Sequence, residues 1–290
     1  MYFKPKISHE FVENILGGGS EKVDYDYALV HLLKKNDYYR NFFYKQKEKG
    51  REIILDNSLF EMGEAFSGEE YATEIQKLEP TYYVLPDVFN AYQENLDSAR
   101  RFLDEHFIKN SFPVGAIHGE SLWELTNSYV KMLSLLKPYK NKKIAIPFGS
   151  RAFEFSYKEA KKGLSTFEIK KYENDYLYKK SRNRFYFLEK MAEMRIINRE
   201  VKHHLLGNYT PAEFVYYRES LEEFTFIDSI DTSHPVAMGL EGATYSEAGI
   251  YYKSAVKVDL LFKTDLDLTA RDVIFNNVDA FRDICLGRNK

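Results

Sequence analysis

Short apolar runs rich in Ile, Val and Tyr recur along the chain, and a longer amphipathic stretch follows each. Residues 1 to 25 are weakly patterned, and Gly17-Gly-Gly-Ser20 reads as a flexible turn, since it lacks the Lys-Ser/Thr ending of a phosphate loop. Tyr27 to Leu33 (YALVHLL) reads as a first strand, with a basic helical stretch after it to about Gly50. Glu52 to Asn57 (EIILDN), Thr81 to Val88 (TYYVLPDV), Phe112 to His118 (FPVGAIH) and Lys143 to Gly149 (KIAIPFG) read as further strands. Helix-opening signals stand between them. Ser67-Gly-Glu-Glu70 is a capping box for a helix to about Leu78, Asn90-Ala-Tyr-Gln93 opens one to about Phe107, and Ser121-Leu-Trp-Glu124 caps the next. A long basic region, mostly helical, runs to about Glu200. Then come the short strand His203 to Gly207 (HHLLG) and a cap at Thr210-Pro-Ala-Glu213, with proline at the first helical position. A strand from Phe224 and a last helix from Asp267 to about Ile284 complete the pattern, with a final strand placed around Lys253 to Leu261.

Strands that alternate with capped helices pair in parallel through βαβ crossovers. Seven or eight such units in 290 residues fit a (β/α)8 TIM-type barrel, with a doubly wound open sheet as the alternative. The chain has no internal repeat, low-complexity tract or Pro/Gly-rich linker. Residues 1–290 therefore read as one domain, with a basic helical insertion at about 156–200.

Composition narrows the class. A hydrophobic content of 44% and an aromatic content of 16% supply a substantial core. The single Cys285 excludes a disulfide framework and any zinc site built on several thiolates, so no metal is expected. No apolar run approaches membrane-spanning length and the N-terminus lacks a signal-peptide core, so a soluble, cytoplasmic protein without a membrane partner is expected. The net charge of −3 does not announce a nucleic-acid binder, but its distribution is uneven. Lys34 to Arg51 carries seven Lys/Arg against Asp37 and Glu48, and Lys158 to Lys190 carries ten against five acids, a net of +5 in each. Both segments interleave aromatics with the cations. Two readings stand side by side: a phosphate-gripping, base-stacking surface with Lys170, Lys171, Lys179 and Lys180 as candidate contacts, or solvated helices whose aromatics face the core.

The chemistry concentrates at strand ends. Phe224 to Leu240 (FTFIDSIDTSHPVAMGL) starts apolar, delivers Asp228 and Asp231, and breaks in a Thr-Ser-His-Pro turn. Asp231 by itself suits an Asx turn ahead of Pro235. In a barrel, however, the C-terminal strand ends converge on one mouth. They would gather Asp56, Asp87, His118, the Gly149 loop, Gly207 and Asp231. Each alone suits a turn or cap; together they mark a candidate site.

These segments, in this order, resemble the tRNA-guanine transglycosylase family, whose fold is a (β/α)8 barrel. Asp56-Asn-Ser-Leu-Phe60-Glu is similar to the family's Asp-Ser-Gly-Gly-Phe/Tyr-Gln, and Leu85-Pro-Asp87 resembles its second acid. Gly115-Ala-Ile-His118-Gly119 resembles Gly-x-Val-Gln-Gly, and Pro147-Phe-Gly149 sits where the family has a Gly-Gly-Leu loop. Leu205-Leu-Gly207-Asn-Tyr-Thr-Pro211 is similar to Leu-Met-Gly-Val-Gly-Thr-Pro, and Ile227-Asp-Ser-Ile-Asp231 with Pro235 resembles Val-Asp-Met-Phe-Asp-x-x-x-Pro. The match runs from about Tyr27 to Leu240.

The resemblance implies base exchange at a nucleoside without a cofactor. Asp231 would attack the ribose C1′, displacing guanine, and a free 7-deazaguanine base would take its place. Asp56 matches the acid/base position. Asp87 matches the residue that bonds the Watson–Crick edge of the base, with His118 beside it. Phe60 and Leu206 would sandwich the base, and Gly149 and Gly207 would let backbone approach it. The sequence departs from the family's pattern at His118, which replaces Gln, and in lacking the three-cysteine zinc module. Those departures favour resemblance to the phage-type, DpdA-like branch, whose polymer is DNA; tRNA is the alternative. A catalytically idle barrel that binds nucleic acid or a partner protein is the competing class. A glycoside hydrolase is a weaker reading, because Trp123 is the one tryptophan available to stack sugars.

Overall fold

The computed structural model describes residues 3–9, 22–66, 68–220, 224–256 and 268–288. Eight parallel strands form a nearly closed (β/α)8 barrel of the TIM type. The strands are β1 (Lys6–Ser8), β2 (Asp26–Leu29), β3 (Ile53–Asp56), β4 (Tyr82–Val84), β5 (Phe112–Ala116), β6 (Lys143–Pro147), β7 (Lys202–Leu206) and β8 (Ile227–Asp231). Their order round the sheet is β1-β8-β7-β6-β5-β4-β3-β2. The seam between β1 and β2 is bridged: Asp24 donates its backbone N–H to the Ile7 carbonyl at 2.9 Å, and Ile7 N–H donates to Asp24 Oδ2 at 2.9 Å. Most strand positions are buried, as expected for a sheet with lumen side chains inside and helices outside.

Two strand expectations are corrected. The first strand is β1, in the stretch that looked unpatterned; its three residues are too few for a periodicity signal, and pairing with β8 (Ile7 opposite Ile230) holds them. Of Tyr27 to Leu33, only the start is strand. From Val30 the chain turns into helix α1 (Val30–Lys35), because a short apolar run suits a buried helix as well as a buried strand. The barrel's eighth strand is thus N-terminal. Of the strand placed at Lys253 to Leu261, Lys253 to Val256 is irregular and the rest lies outside the described residues.

The helices follow their apolar stripes. They are α2 (Asp37–Glu48), α3 (Leu59–Met62), α4 (Gly68–Leu78), α5 (Tyr92–Glu105), α6 (Leu122–Leu135), α7 (Thr166–Asn174), α8 (Tyr176–Glu193), α9 (Ala212–Glu219), α10 (His234–Leu240), α11 (Tyr245–Ala248) and α12 (Leu268–Leu286). On α4, Tyr71, Ala72, Ile75 and Leu78 face the sheet, and the Tyr71 hydroxyl reaches the Val84 carbonyl at 2.8 Å. Ser121 caps α6 and Ser165 caps α7 in a full capping box, but the Ser67 cap lies outside the described residues. Asn90 does not cap α5. It sits in the left-handed region and spends its side chain on the Arg151 N–H, 2.8 Å away. α10 and α12 touch at Gly239, where a Cβ would come within 2.6 Å of the Ile274 Cα.

Between β6 and β7 the chain makes two 3-10 turns (Arg151–Glu154 and Glu159–Lys161) and then α7 and α8. This is the basic helical segment. Its Tyr172, Tyr178, Phe185 and Phe187 are buried, and so are Tyr39 and Phe43 of the first basic segment. Most of the interleaved aromatics therefore serve the core and do not present stacking faces.

Candidate active site

Because every strand is parallel, every C-terminal end opens on one mouth. Asp56 and Asp231 are the last residues of β3 and β8. Asp87 follows β4, His118 follows β5, Gly149 follows β6, and Gly207 follows β7. The structure thus sets all the strand-end candidates at the same end of the barrel.

The local chain geometry explains how each carboxylate is held. Asp56 Oδ1 accepts from the Ser58 N–H at 2.6 Å, and Oδ2 accepts from the Tyr27 hydroxyl at 2.7 Å. The tight turn after β3 puts Ser58 in the left-handed region, at φ 62°. That strain for a residue with a Cβ gives a physical reason for glycine at the matching position of the resembling motif. Asp231 Oδ1 accepts from the Gly207 N–H at 2.9 Å, and Gly207 itself needs its φ of 69° to turn that N–H inward. His204 Nε2 also lies 2.9 Å from Asp231 Oδ1. Its ring N–H is poorly aligned with that oxygen, so this is an electrostatic contact more than a formed hydrogen bond.

Asp87 is engaged on both oxygens. Asn57 Nδ2 donates to Oδ1 at 2.8 Å and also to the Leu85 carbonyl at 2.7 Å. His118 Nε2 is 2.6 Å from Oδ2. Each oxygen keeps a second lone pair, so a base edge would join these partners and not replace them. Phe89 stands edge-on to His118, with ring centroids 5.7 Å apart, and its ring edge approaches Gly149. Phe60 is 72% exposed on α3, and Leu206 is half-buried at the end of β7.

Two acids of this mouth, Asp56 and Glu61, are shifted upward. Burial, then the charges of Glu61 and Asp87, push the Asp56 carboxyl well above its ordinary range, against the opposing hydrogen bonds from Tyr27 and Ser58. Glu61 is also raised, first by desolvation of its carboxyl and then by the charge of Asp231, although the residue as a whole is exposed. Its coupling to both Asp56 and Asp231 makes it a third acid of the mouth. Sequence reasoning quoted Glu61, Asn57 and Ser58 within a motif without assigning them roles. It also missed Tyr27 and His204, which sat inside apolar runs and gave no polar signal of their own.

A buried guanidinium backs the loop that follows β7. Arg184 on α8 forms a bidentate pair with Glu213, both bonds 2.7 Å, and donates to the carbonyls of Ile146 at 3.1 Å and Gly207 at 3.0 Å and to Asn208 Oδ1. Asn208 in turn donates to the Asp231 carbonyl at 3.0 Å. The basic helix therefore buttresses the loop that carries Gly207.

The four candidate phosphate-binding lysines do not share one environment. Lys170 is exposed, and Lys171 and Lys179 are half-buried, with Lys171 Nζ over the Tyr251 ring at 4.1 Å. Lys180 is a correction: it is buried, 3.2 Å from Glu154 Oε1 and 3.4 Å from the Gly149 carbonyl, because its position on α8 faces the barrel. It braces the Gly149 loop and is shut off from a phosphate backbone.

Among the described residues no group of three or more His, Cys, Asp or Glu side chains could hold a metal ion, and no helix is long and apolar enough to cross a membrane. No protein-family model matches the chain, and no curated protein does either.

Proposed function

We propose that this barrel exchanges guanine in DNA for a 7-deazaguanine base, with Asp231 as nucleophile and Asp56 as acid/base. The observation that carries the reading is a pair of strand-end carboxylates at one mouth, Asp56 and Asp231, of which Asp56 holds its proton tightly. Asp231 accepts from the Gly207 N–H, and at the same end of the barrel Asp56 is held well above the ordinary carboxyl range. A carboxyl that holds its proton suits the donor, and a carboxylate braced by a backbone N–H suits the nucleophile.

In the first step an Asp231 oxygen forms a bond to C1′ as the C1′–N9 bond breaks, and its electron pair leaves with guanine. Asp56 supplies the proton the leaving base needs. In the second step the incoming base gives its N9 proton to Asp56 and its N9 electron pair to C1′, and Asp231 departs as carboxylate. Asp87 and His118 line the base edge, Phe60 and Leu206 its faces, and Gly149 and Gly207 admit it to close backbone. The target base must leave its stack to reach the mouth, so flipped or single-stranded DNA is the expected substrate form. The polymer is assigned by the resemblance of the motifs together with a chain of one cysteine; tRNA is the second candidate.

The test is incorporation of a labelled 7-deazaguanine base into DNA and into tRNA, with denaturing gels to detect a protein–nucleic acid adduct. Wild-type protein should label DNA. Asp231→Asn should form no adduct and lose on the order of 10³-fold or more in rate, as removal of a nucleophile generally does. Label in tRNA alone would change the polymer. Wild-type rates in Asp231→Asn would overturn the nucleophile assignment, and binding without exchange would leave an idle barrel.

A further inference from the structure

The lumen beneath the mouth is polar, and its groups form a continuous line. Lys143, the first residue of β6, is fully buried at the opposite end of the barrel. Its ammonium donates to Glu52 Oε1 at 3.2 Å and to Ser229 Oγ at 3.1 Å, pairs with Asp228 Oδ2 at 2.7 Å, and lies 4.4 Å from the centre of the Tyr82 ring. Tyr82 is on β4, Asp228 and Ser229 are on β8, and Glu52 immediately precedes β3; none of these strands neighbours β6, so the contacts cross the lumen. Ser229 Oγ is next 3.0 Å from His204 Nδ1, and His204 Nε2 is 2.9 Å from Asp231 Oδ1. A register shift between β7 and β8 sets His204 opposite Ser229 and leaves Asp228 as the extra residue, so Asp228 and Ser229 both reach Lys143.

We infer that His204 is a positioning residue for Asp231, fixed by this line in the tautomer that carries its proton on Nε2. The inference rests on the transglycosylase reading for its catalytic meaning only. An ammonium has donors and no acceptor, so Ser229 Oγ must accept from Lys143. The serine proton then finds its acceptor at His204 Nδ1 when that nitrogen is bare; a protonated Nδ1 would leave the hydroxyl proton without an acceptor side chain among the described residues. The proton of a neutral ring then sits on Nε2, 2.9 Å from Asp231 Oδ1 though out of line with it. The other tautomer would set a lone pair 2.9 Å from a carboxylate oxygen and leave two acceptors in opposition. Both ends of the line select the same form, much as a buried partner fixes the working tautomer of a catalytic histidine. Tyr27 locks the ring plane: it stacks on His204 with centroids 6.0 Å apart at 19°, while its hydroxyl bonds Asp56. One tyrosine thus ties the support of Asp231 to the support of Asp56.

The experiment is a long-range proton–nitrogen correlation spectrum of the full chain labelled with ¹⁵N-histidine, assigned by the signal lost in His204→Gln. The expected signature is protonated Nε2 and bare Nδ1 for His204. Ser229→Ala should lose that single pattern, and Ser229→Thr, which keeps the hydroxyl, should retain it. A bare Nε2 in wild-type protein, or an unchanged pattern in Ser229→Ala, would overturn the inference. In exchange assays His204→Leu should lower kcat roughly 10- to 100-fold, the usual scale for a supporting partner, with KM little changed. His204→Gln, which keeps an N–H near the Nε2 position, should recover part of that loss. Equal kcat in wild type and His204→Leu would also refute the positioning role. If wild-type protein shows the tautomer but exchanges no base on any polymer, the function reading fails while the tautomer lock stands.

Discussion

Replacing Arg184 with alanine is the sharpest test of how the inserted helices support the mouth. Arg184 and Glu213 are both fully buried, so solvent does not screen their pair. Truncating one partner leaves the other charge buried, which costs about 3–5 kcal/mol. The Gly207 carbonyl and Asn208 Oδ1 also lose a donor, each worth on the order of 1 kcal/mol. Tyr217 still donates to Glu213 at 2.9 Å, which trims the total. The expected loss is about 4–6 kcal/mol, a large share of the roughly 5–15 kcal/mol that holds a typical domain together. Urea denaturation followed by far-ultraviolet circular dichroism measures it; Trp123 is 70% exposed and would report the core poorly. The double variant Arg184→Met with Glu213→Leu removes both charges and should regain at least about 2 kcal/mol over Arg184→Ala, since replacing a buried pair with apolar groups is often neutral. A loss below about 1 kcal/mol in Arg184→Ala, or a double variant no better than the single, would show that the pair does not bear on the fold as argued.

The remaining predictions concern charge. Asp56 binds its proton more tightly in the folded chain than in the unfolded one, so its ionisation costs stability as pH rises from near 3.8 through the higher folded value. Asp56→Asn should therefore be more stable than wild type at pH 7, with the gain fading on acidification to pH 4; a loss at pH 7 in thermal melts would contradict it. Lys170→Glu with Lys179→Glu should weaken binding of DNA of any sequence and reduce the salt slope by about 1 to 2, as measured by fluorescence anisotropy across a salt series. An unchanged slope would return both lysines to the role of solvating the helices.

The alternation of apolar runs and capped helices pointed to a parallel α/β fold, with a barrel preferred to an open sheet, because strand and helix spacing are local properties of the chain; the structure decided for the barrel. The strand-end acids were legible for the same reason: Asp56 and Asp231 close their runs visibly, and parallel pairing then sends both to one mouth. What the sequence left open is set by contacts between segments far apart in the chain. β1 exists because β8 offers it an edge, and nothing within its three residues announces that. Lys180 looks like any other cation of a basic helix until the helix docks and turns it toward Glu154. Tyr27 and His204 read as filler in apolar runs, yet the lumen brings them together and gives each a carboxylate to hold. Residue type and local period settle most of the elements. The closing of the barrel decides which polar groups lose water, and only those groups must find partners across its interior.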